Sequence, residues 1–329
     1  KIMLNARITG LASYAPDDIL DNEMLSKMVD TNDEWITTRV GIKERRILRD
    51  PSKGSSFLGI KAVERLLEST GTKPEEVDLL ICATSNPDYR FPSTGSIIAH
   101  NVGLTNAYSY DIQAACAGFL VALEDGAAYI KSGLRKKVVV VAAEKMSSMT
   151  NYTDRATCPL FGDGAGAMLL EPTEENVGII DGVFHIDGQG LEHLWMPAGG
   201  SALPASHETI DAQQHYVIQD GRNVYKNAVT DMLESSLEVM KRNNLTIEDV
   251  DWFIPHQANL RIIEAVGSRL GIDNEKVLVN IEKYGNTSAA SIPLCLDEYK
   301  NRLKKGDRVI LTAFGAGFTW GALYIIWDL

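Results

Sequence analysis

Asp111-Ile-Gln-Ala-Ala-Cys116-Ala-Gly-Phe-Leu120 joins a strand to a helix through a run of small residues. Ala107 to Ile112 reads as the end of a buried strand. The run from Phe119 to Ile130 is apolar nearly all round, which is the pattern of a helix buried between layers. Gly133 stands where a helix C-cap is expected. This junction puts Cys116 at or near the first helical residue, where unpaired backbone N–H groups and the helix dipole favour an anion. A thiolate is an anion, so the position is expected to lower the cysteine pKa and make a nucleophile. Ala114, Ala115, Ala117 and Gly118 leave room for a thioester to approach. The stretch also reads as a small core cysteine in an Ala-rich helix, and alone it does not separate the two.

Working outward, strands and helices alternate. Upstream, Ala6–Ala12 reads as a strand, Asn22–Val29 and Asp33–Thr38 as short helices, and Ser55–Ser69 as an amphipathic helix. The second short helix opens on a capping-box pattern, Thr31-x-x-Glu34. Val77–Ala83 is a buried strand and Ser93–Val102 a helix. Downstream, Lys137–Ala143 is a strand buried on both faces, and Ala165–Leu170 is another. Past Pro172 the alternation begins again. Val177–His185, Val250–Ile254, Lys276–Val279, Arg308–Phe314 and Ala322–Trp327 read as strands. Gly221–Lys241 and Leu260–Leu270 read as helices, and Gly285–Tyr299 as a loop running into one. Residues 188–215 form a long irregular connection, and connections of that length are usually functional or disordered.

The second run copies the first. Glu76-Val-Asp-Leu-Leu-Ile-Cys-Ala-Thr-Ser-Asn86 aligns with Asp249-Val-Asp-Trp-Phe-Ile-Pro-His-Gln-Ala-Asn259, and Lys137-Val-Val-Val-Val parallels Asp307-Arg-Val-Ile-Leu. The fold expected is therefore α/β with an internal duplication, residues 1–172 and 173–329, related by a pseudo-twofold axis. Cys116 and Asn286 are expected to open corresponding helices, with a site where those helices meet.

Bulk properties narrow the function. A net charge of −12 argues against a nucleic-acid binder. Cys82, Cys116, Cys158 and Cys295 are widely spaced with no C-x-x-C pair, which fits a reducing compartment and neither a disulfide framework nor a zinc site. The first residues lack a signal-peptide apolar region, and no apolar run reaches the length of a membrane span. A cytoplasmic enzyme that touches neither membrane nor nucleic acid is expected. Gly162-Asp-Gly164-Ala-Gly166-Ala loosely fits a dinucleotide loop, but a strand ended by Pro172 follows it, so a tight turn is the better reading.

His256 differs from the other histidines because it ends a buried strand, where α/β folds place ligands. Asn286 lies in Tyr284-Gly-Asn-Thr-Ser, a turn into a helix, where a capping role is equally open. Taken together, Cys116, His256 and Asn286 are a nucleophile and two hydrogen-bond donors on one edge of a duplicated sheet. Two donors to one oxygen suit an enolate better than the orienting pair of a cysteine protease.

The chain closely resembles the β-ketoacyl-acyl carrier protein synthase III family, the initiating condensing enzymes of type II fatty acid synthesis. The resemblance runs over essentially the whole length. It is carried by Trp35-Ile-Thr-Thr-Arg-Val-Gly-Ile, Phe91-Pro-Ser, Ala114-Ala-Cys-Ala-Gly, Phe161-Gly-Asp-Gly-Ala-Gly-Ala, His256-Gln-Ala-Asn, Tyr284-Gly-Asn-Thr-Ser-Ala-Ala-Ser and Phe314-Gly-Ala-Gly-Phe-Thr-Trp-Gly. It implies a thiolase-like five-layer αβαβα fold, a homodimer, and no metal or redox cofactor, acyl-CoA being a substrate. It implies that Cys116 takes an acyl group from a short acyl-CoA such as acetyl-CoA. His256 and Asn286 would then bind the thioester oxygen of malonyl-acyl carrier protein as CO₂ leaves.

By position in the motifs, the backbone of Cys116 and Ala316 would form an oxyanion hole. The family usually has three glycines where this chain has Gly315-Ala-Gly317, so the backbone there must be one that alanine tolerates. Trp35, Arg39 and Arg155, with Thr31 and Asn259, match CoA contacts. Phe91 and Phe314 match the acyl pocket, Phe91 from across the dimer interface. Lys226 and Arg261 match positions that dock the acidic carrier protein. Core packing or ordinary solvation would account for each of these aromatic and basic residues without the family.

Rival readings differ at single positions. Degradative thiolases need a second cysteine in the C-terminal Gly-rich loop, which is absent here. Elongating condensing enzymes have a second histidine where Asn286 stands. Chalcone-synthase-like and secondary-metabolic relatives share Cys-His-Asn. A Cys-His-Asn thioester hydrolase would release free acid without CO₂, and a non-catalytic acyl-CoA binder would leave Cys116 unacylated.

Overall fold

The computed structural model describes residues 4–329. The apolar runs become strands β1 (Asn5–Tyr14), β2 (Leu79–Ala83), β3 (Tyr108–Ile112), β4 (Val138–Lys145), β5 (Asp163–Thr173), β6 (Gly178–Ile186), β7 (Trp252–Pro255), β8 (Arg308–Gly315) and β9 (Thr319–Ile326). The helices that matter are α1 (Asp33–Val40), α2 (Ser55–Thr70), α3 (Thr94–Asn101), α4 (Gly118–Ser132), α5 (Gly221–Arg242), α6 (Leu260–Leu270) and α7 (Ser291–Tyr299).

The strands run β7-β8-β9-β6-β1-β5-β4-β2-β3 across the molecule. Two halves with one plan are visible in that order. In the first, β2 is parallel to β3 and β4, and β5 is antiparallel to β4 and β1. In the second, β7 is parallel to β8, and β9 is antiparallel to β8 and β6. Within the sheet, the halves join where β1 meets β6, at the pair Ala6 with Ile179. The counterpart of β3, expected as a strand over Lys276–Val279, is reduced to a bridge between Phe253 and Val277. A 3₁₀ turn over Asn274–Lys276 and a helix from Ile281 leave room for little more.

Packing turns the halves into five layers. Along β2, Leu79 and Ile81 point into a core shared with α4 and α7, represented by Phe119, Leu123, Ile292 and Leu296. Leu80 and Cys82 point the other way, against Leu58 and Leu66 of α2 and Ile98 of α3. This is the two-residue period of a strand with both faces covered. On the second half, Met232 of α5 and Ile262 and Val266 of α6 cover Phe253 and Ile310. The order α2/α3, sheet, α4/α7, sheet, α5/α6 is the expected αβαβα architecture. The two central helices are apolar on most faces because each lies between two sheets.

A fourth core near the mouth of the molecule joins Ile36, Val40 and Ile42 to Leu160, Phe161 and Ile281. It seats α1 beside the Tyr284–Asn286 turn. Helix α1 ends at Gly41 with φ 77°, and a Cβ there would fall 2.4 Å from Leu260 Cβ, so only glycine lets α1 rest on the start of α6. The cap of α1 is Asn32, whose Oδ1 accepts from Trp35 N at 2.8 Å, and not Thr31 as the capping-box pattern suggested. The helix expected over Asn22–Val29 stops at Ser26. Residues 188–215 hold a 3₁₀ segment, Gly188–His193, and a short helix, His207–Asp211. Among the described residues no helix is long and apolar enough to cross a membrane.

Candidate active site

Cys116 lies in a single 3₁₀ turn, Ala115–Ala117, that leads into α4. Ala115 has φ 45°, a left-handed conformation that costs a non-glycine residue roughly 1–3 kcal/mol. The turn is clamped from the opposite side by the end of β8. A Cβ on Gly315 would fall 2.6 Å from Cys116 N and 3.0 Å from Ala115 Cβ, so two main chains touch there with no side chain between them. Cys116 is half-buried and its sulfur is free.

The same local path recurs in the second half. Thr287 has φ −96° and ψ 26°, Ser288 has φ 51°, and α7 follows from Ser291. Ala114, with φ −135° and ψ 34°, stands where Thr287 does. Ser288 is therefore the counterpart of Ala115, and Ala289 that of Cys116. The expectation that Asn286 opens the corresponding helix is corrected: Asn286 precedes the turn and faces the site from its rim. The small residues at both junctions carry no period that could have fixed the register.

The second turn reaches all three expected residues. Ser288 Oγ lies 3.5 Å from Cys116 Sγ. Asn286 Oδ1 accepts from Ser288 N at 2.8 Å, which fixes the amide orientation and turns Nδ2 away from its own turn. Asn286 is 7 % exposed and is tied by backbone to the first half: its N donates to Leu160 O at 2.8 Å, and Gly162 N donates to its O at 3.0 Å. His256 continues β7, its N donating to Thr312 O of β8 at 2.8 Å. It is 2 % exposed, and its Nδ1 is 2.7 Å from Ser291 Oγ.

The Ser291 hydroxyl already accepts from Gln257 N at 3.2 Å. Nδ1 is the one acceptor for the Ser291 hydrogen in its hydrogen bonds among the described residues, an arrangement that suits a ring proton on Nε2. Burial lowers the His256 pKa to about 3, so the ring is neutral near pH 7 and Nε2–H is a donor.

The cysteine differs from its sequence reading. Its pKa is pushed up to about 12 by burial, with the Ser288 contact pulling the other way and the negative charge of Glu144 adding to the rise. Burial of the sulfur thus favours the thiol form of Cys116. The helix-terminus argument counted the local dipole but not the removal of the sulfur from water.

The glycines of the 162–166 segment have a structural use. Cβ atoms on Gly162 and Gly166 would fall 2.2 Å from Tyr284 O and 2.5 Å from Pro293 Cβ, so they admit the turn and helix that carry Asn286 and Ser291. The segment enters β5, as the reading of a turn into a strand expected.

Toward the mouth, the guanidinium carbons of Arg39 and Arg155 lie 5.7 and 5.4 Å from the Trp35 ring centroid. Arg155 also pairs with Asp30 at 3.1 Å. Thr31 Oγ1 is buried without a partner. Asn259 caps α6, its Oδ1 accepting from Arg261 N at 2.9 Å. Arg261 lies over the Tyr225 ring at 5.7 Å, and Lys226 is exposed next to that tyrosine. Phe314 is buried against Phe318, ring centroids 4.7 Å apart. Phe91 is 86 % exposed on its own chain. Ala316 has a negative φ, and Gly317 takes the positive one of 142°, so alanine at 316 is unstrained.

Sequence reasoning overlooked Ser85, Ser288, Ser291 and Glu144. Both later serines stood inside the quoted Asn286-Thr-Ser-Ala-Ala-Ser motif, and Glu144 was the charge ending an otherwise apolar strand. Hydrophobic patterning does not rank hydroxyls inside small-residue runs.

Comparisons with known proteins agree with this geometry. Residues 110–188 match the family model for 3-oxoacyl-[acyl-carrier-protein] synthase III, and residues 240–327 match that for its C-terminal part. The β-ketoacyl-[acyl-carrier-protein] synthase III of Porphyromonas gingivalis W83 is 59 % identical over 98 % of this chain and 97 % of its own. Synthase III 2 of Bacteroides thetaiotaomicron is 55 % identical over the same shares. The crystal structure of 3-oxoacyl-[acyl-carrier-protein] synthase III from Aquifex aeolicus superposes with TM-score 0.90 at 41 % identity, covering 98 % of this chain and 100 % of that one. The priming β-ketosynthase of the R1128 polyketide pathway gives TM-score 0.91 at 34 % identity, covering 99 % and 97 %. On a duplicated thiolase-like frame, and at this identity over nearly its whole length, the chain belongs to the β-ketoacyl-acyl carrier protein synthase III family.

Proposed function

We propose that this chain starts fatty acid chains by loading a short acyl group, such as acetyl, from acyl-CoA onto Cys116. It then condenses that group with malonyl-acyl carrier protein. The products are CoA, CO₂ and a 3-oxoacyl-acyl carrier protein. The observation that carries the reading is the Asn286–Ser291 turn, which touches the cysteine, orients the amide and sets the histidine tautomer. Two neutral N–H donors, Asn286 Nδ2 and His256 Nε2, address one oxygen. As CO₂ leaves malonyl, electron density moves onto the thioester oxygen, and preplaced donors stabilise it without reorganisation. A histidinium would carry a mobile proton. A ring held near pKa 3 keeps its proton and donates only a hydrogen bond.

Loading and condensation each pass through a tetrahedral oxyanion at the acyl carbon. The backbone N–H groups of Cys116 and Ala316, brought together by the Gly315 contact, serve that oxygen. The Trp35 ring flanked by Arg39 and Arg155 suits a stacked adenine with phosphates nearby. Thr31 Oγ1, buried and unpartnered, and the Asn259 side-chain amide offer polar contacts along the same arm.

The acyl pocket is bounded by Phe314 and closed by Phe91 from a second copy of the chain. The homodimer is supported by the open outer edge of β3, where Tyr108 is exposed, and by the exposure of Tyr89 and Phe91. The exposed pair Lys226 and Arg261 forms the local basic patch that an acidic carrier protein needs on a chain of net charge −12. Four unpaired cysteines fit work in the reducing cytoplasm. Initiation of primary fatty acid synthesis is favoured over a secondary pathway, since the synthase III relatives named above stand at 55–59 % identity and the polyketide priming enzyme at 34 %.

The test is an assay with labelled acyl-CoA primers of increasing length and malonyl-acyl carrier protein. Labelled 3-oxoacyl-acyl carrier protein with matching CO₂ is expected, fastest with short primers. Free acid without CO₂ would instead identify a hydrolase.

A further inference from the structure

Glu144, next to the last residue of β4, is 0 % exposed, yet no lysine or arginine pairs with it among the described residues. It has no place in the chemistry described above. Its carboxylate accepts from Ser85 N at 3.1 and 3.0 Å, from Ser85 Oγ at 3.1 Å and from Thr84 Oγ1 at 3.2 Å. Ser85 Oγ lies 3.3 Å from Ser288 Oγ, and Ser288 Oγ lies 3.5 Å from Cys116 Sγ. The chain of contacts has one direction. An ionised carboxylate only accepts, so the single hydroxyl hydrogen of Ser85 points to Glu144. Ser288 then donates on that side, toward Ser85 and the Glu144 carboxylate, which also draws on the Ala289 N–H. Its own hydrogen is used, so the Cys116 thiol must donate to Ser288. The strained φ of 51° at Ser288 is the backbone distortion that places this hydroxyl between sulfur and serine.

We propose that Glu144 is the terminus of a proton relay, through Ser85 and Ser288, that takes the Cys116 proton during acyl loading. This rests on the acyl-transfer reading above. As Sγ attacks the thioester carbon, its proton passes to Ser288 Oγ, the Ser288 proton to Ser85 Oγ, and the Ser85 proton to Glu144 Oε1. The new S–C bond forms as the C–S bond to CoA breaks. The departing CoA thiolate leaves beside Ser288, and the proton returns along the same three atoms to it. Loading then yields acyl-cysteine, CoA thiol and an ionised Glu144, with no net change in charge. Glu144 touches neither substrate nor sulfur, so it is a positioning residue that acts through the serines. Burial raises its pKa to about 7, which suits a group that must both take and return a proton. The ionisable groups that bear on it are Cys116 and Cys82 of β2, both held as thiols by burial.

The test follows Cys116 alkylation by iodoacetamide, which needs no acyl substrate, alongside the burst of CoA released from acetyl-CoA, in the full-length protein. Glu144→Gln should slow both by roughly 10²-fold, as loss of a general base does, and should erase the inflection near neutral pH in the alkylation rate. Glu144→Asp should restore part of the rate and the inflection. Ser288→Ala cuts the chain without disturbing the bonds of Glu144 to Ser85 and Thr84, and should reproduce the loss if Glu144→Gln fails to fold. Wild-type alkylation rates and pH profile in Glu144→Gln, or in Ser288→Ala, would overturn the relay. A normal relay signature with no CoA burst in the wild-type protein would instead overturn the acyl-transfer reading.

Discussion

The turns Ala114–Gly118 and Thr287–Ser291 follow one backbone path and do opposite jobs. The first offers a single reactive atom and surrounds it with methyl groups and hydrogens. The second has no nucleophile at the matching position, Ala289, and is hydroxyl-rich on either side of it. Facing each other across the α4–α7 layer, they set a sulfur from one half against hydroxyls from the other, Cys116 Sγ lying 3.5 Å from Ser288 Oγ. One step earlier the strands also end on different chemistry: β2 runs from Ala83 into the hydroxyls of Thr84 and Ser85, and β7 runs from Pro255 into the ring of His256. A duplicated frame thus gives two equivalent perches, and function comes from filling them unequally.

That contrast can be broken from either side. Cys116→Ser, which removes the one reactive atom of the first turn, should lower acyl loading by ~10⁴-fold or more, read as loss of the CoA burst. His256→Ala or Asn286→Ala, on the second side, should leave loading intact and cut malonyl decarboxylation by about 10²–10³-fold. If either variant blocked loading while sparing decarboxylation, the division between the halves would be wrong.

Gly315→Ala attacks the clamp that holds the first turn in place. The added methyl would meet Cys116 N at 2.6 Å, and relief by backbone movement should lower stability by about 1–3 kcal/mol and slow loading more than decarboxylation. Denaturant unfolding and the CoA burst measure the two effects, and an unchanged midpoint with unchanged loading would show that the clamp is unnecessary.

The last test is of acid stability. His256 sits at about 3 in the fold against an ordinary 6.5, so between those values the unfolded chain binds the extra proton. Its contribution is fully present above about pH 6.5 and is lost as pH falls toward 3. His256→Gln should flatten the decline of Tm across that window. An unaltered slope would mean that other groups set it.

Much of the frame was readable before any coordinates. Val77–Ala83 and Lys137–Ala143 announced themselves as strands covered on both faces, and the match of Val77 to Val250 exposed the duplication. The architecture, and the placing of Cys116, His256 and Asn286 on one edge of it, are read from where those strands end together with the motifs shared with the family. Finer placement is not. Ala-Ala-Cys-Ala-Gly and Thr-Ser-Ala-Ala-Ser have no apolar period, so the register between the turns slipped, and Asn286 was matched to the wrong partner. Positive φ at Ala115 and Ser288 is imposed by tertiary contacts and leaves no mark on residue choice. The cap of α1 fell on Asn32 rather than Thr31 because both can accept a hydrogen bond, and only the geometry of entry distinguishes them. The raised pKa of Cys116 reflects desolvation by residues from distant parts of the chain, which a reading of local dipoles omits.

Asn286 is joined to the other half by two main-chain hydrogen bonds on either side of Phe161, and Gly315 meets Cys116 backbone to backbone. Nucleophile and donor are therefore aligned by atoms that every amino acid shares. Side chains around Cys116 can change in size and polarity while that alignment stays fixed. Primer preference is in this sense a freely adjustable fitting mounted on a rigid optical bench.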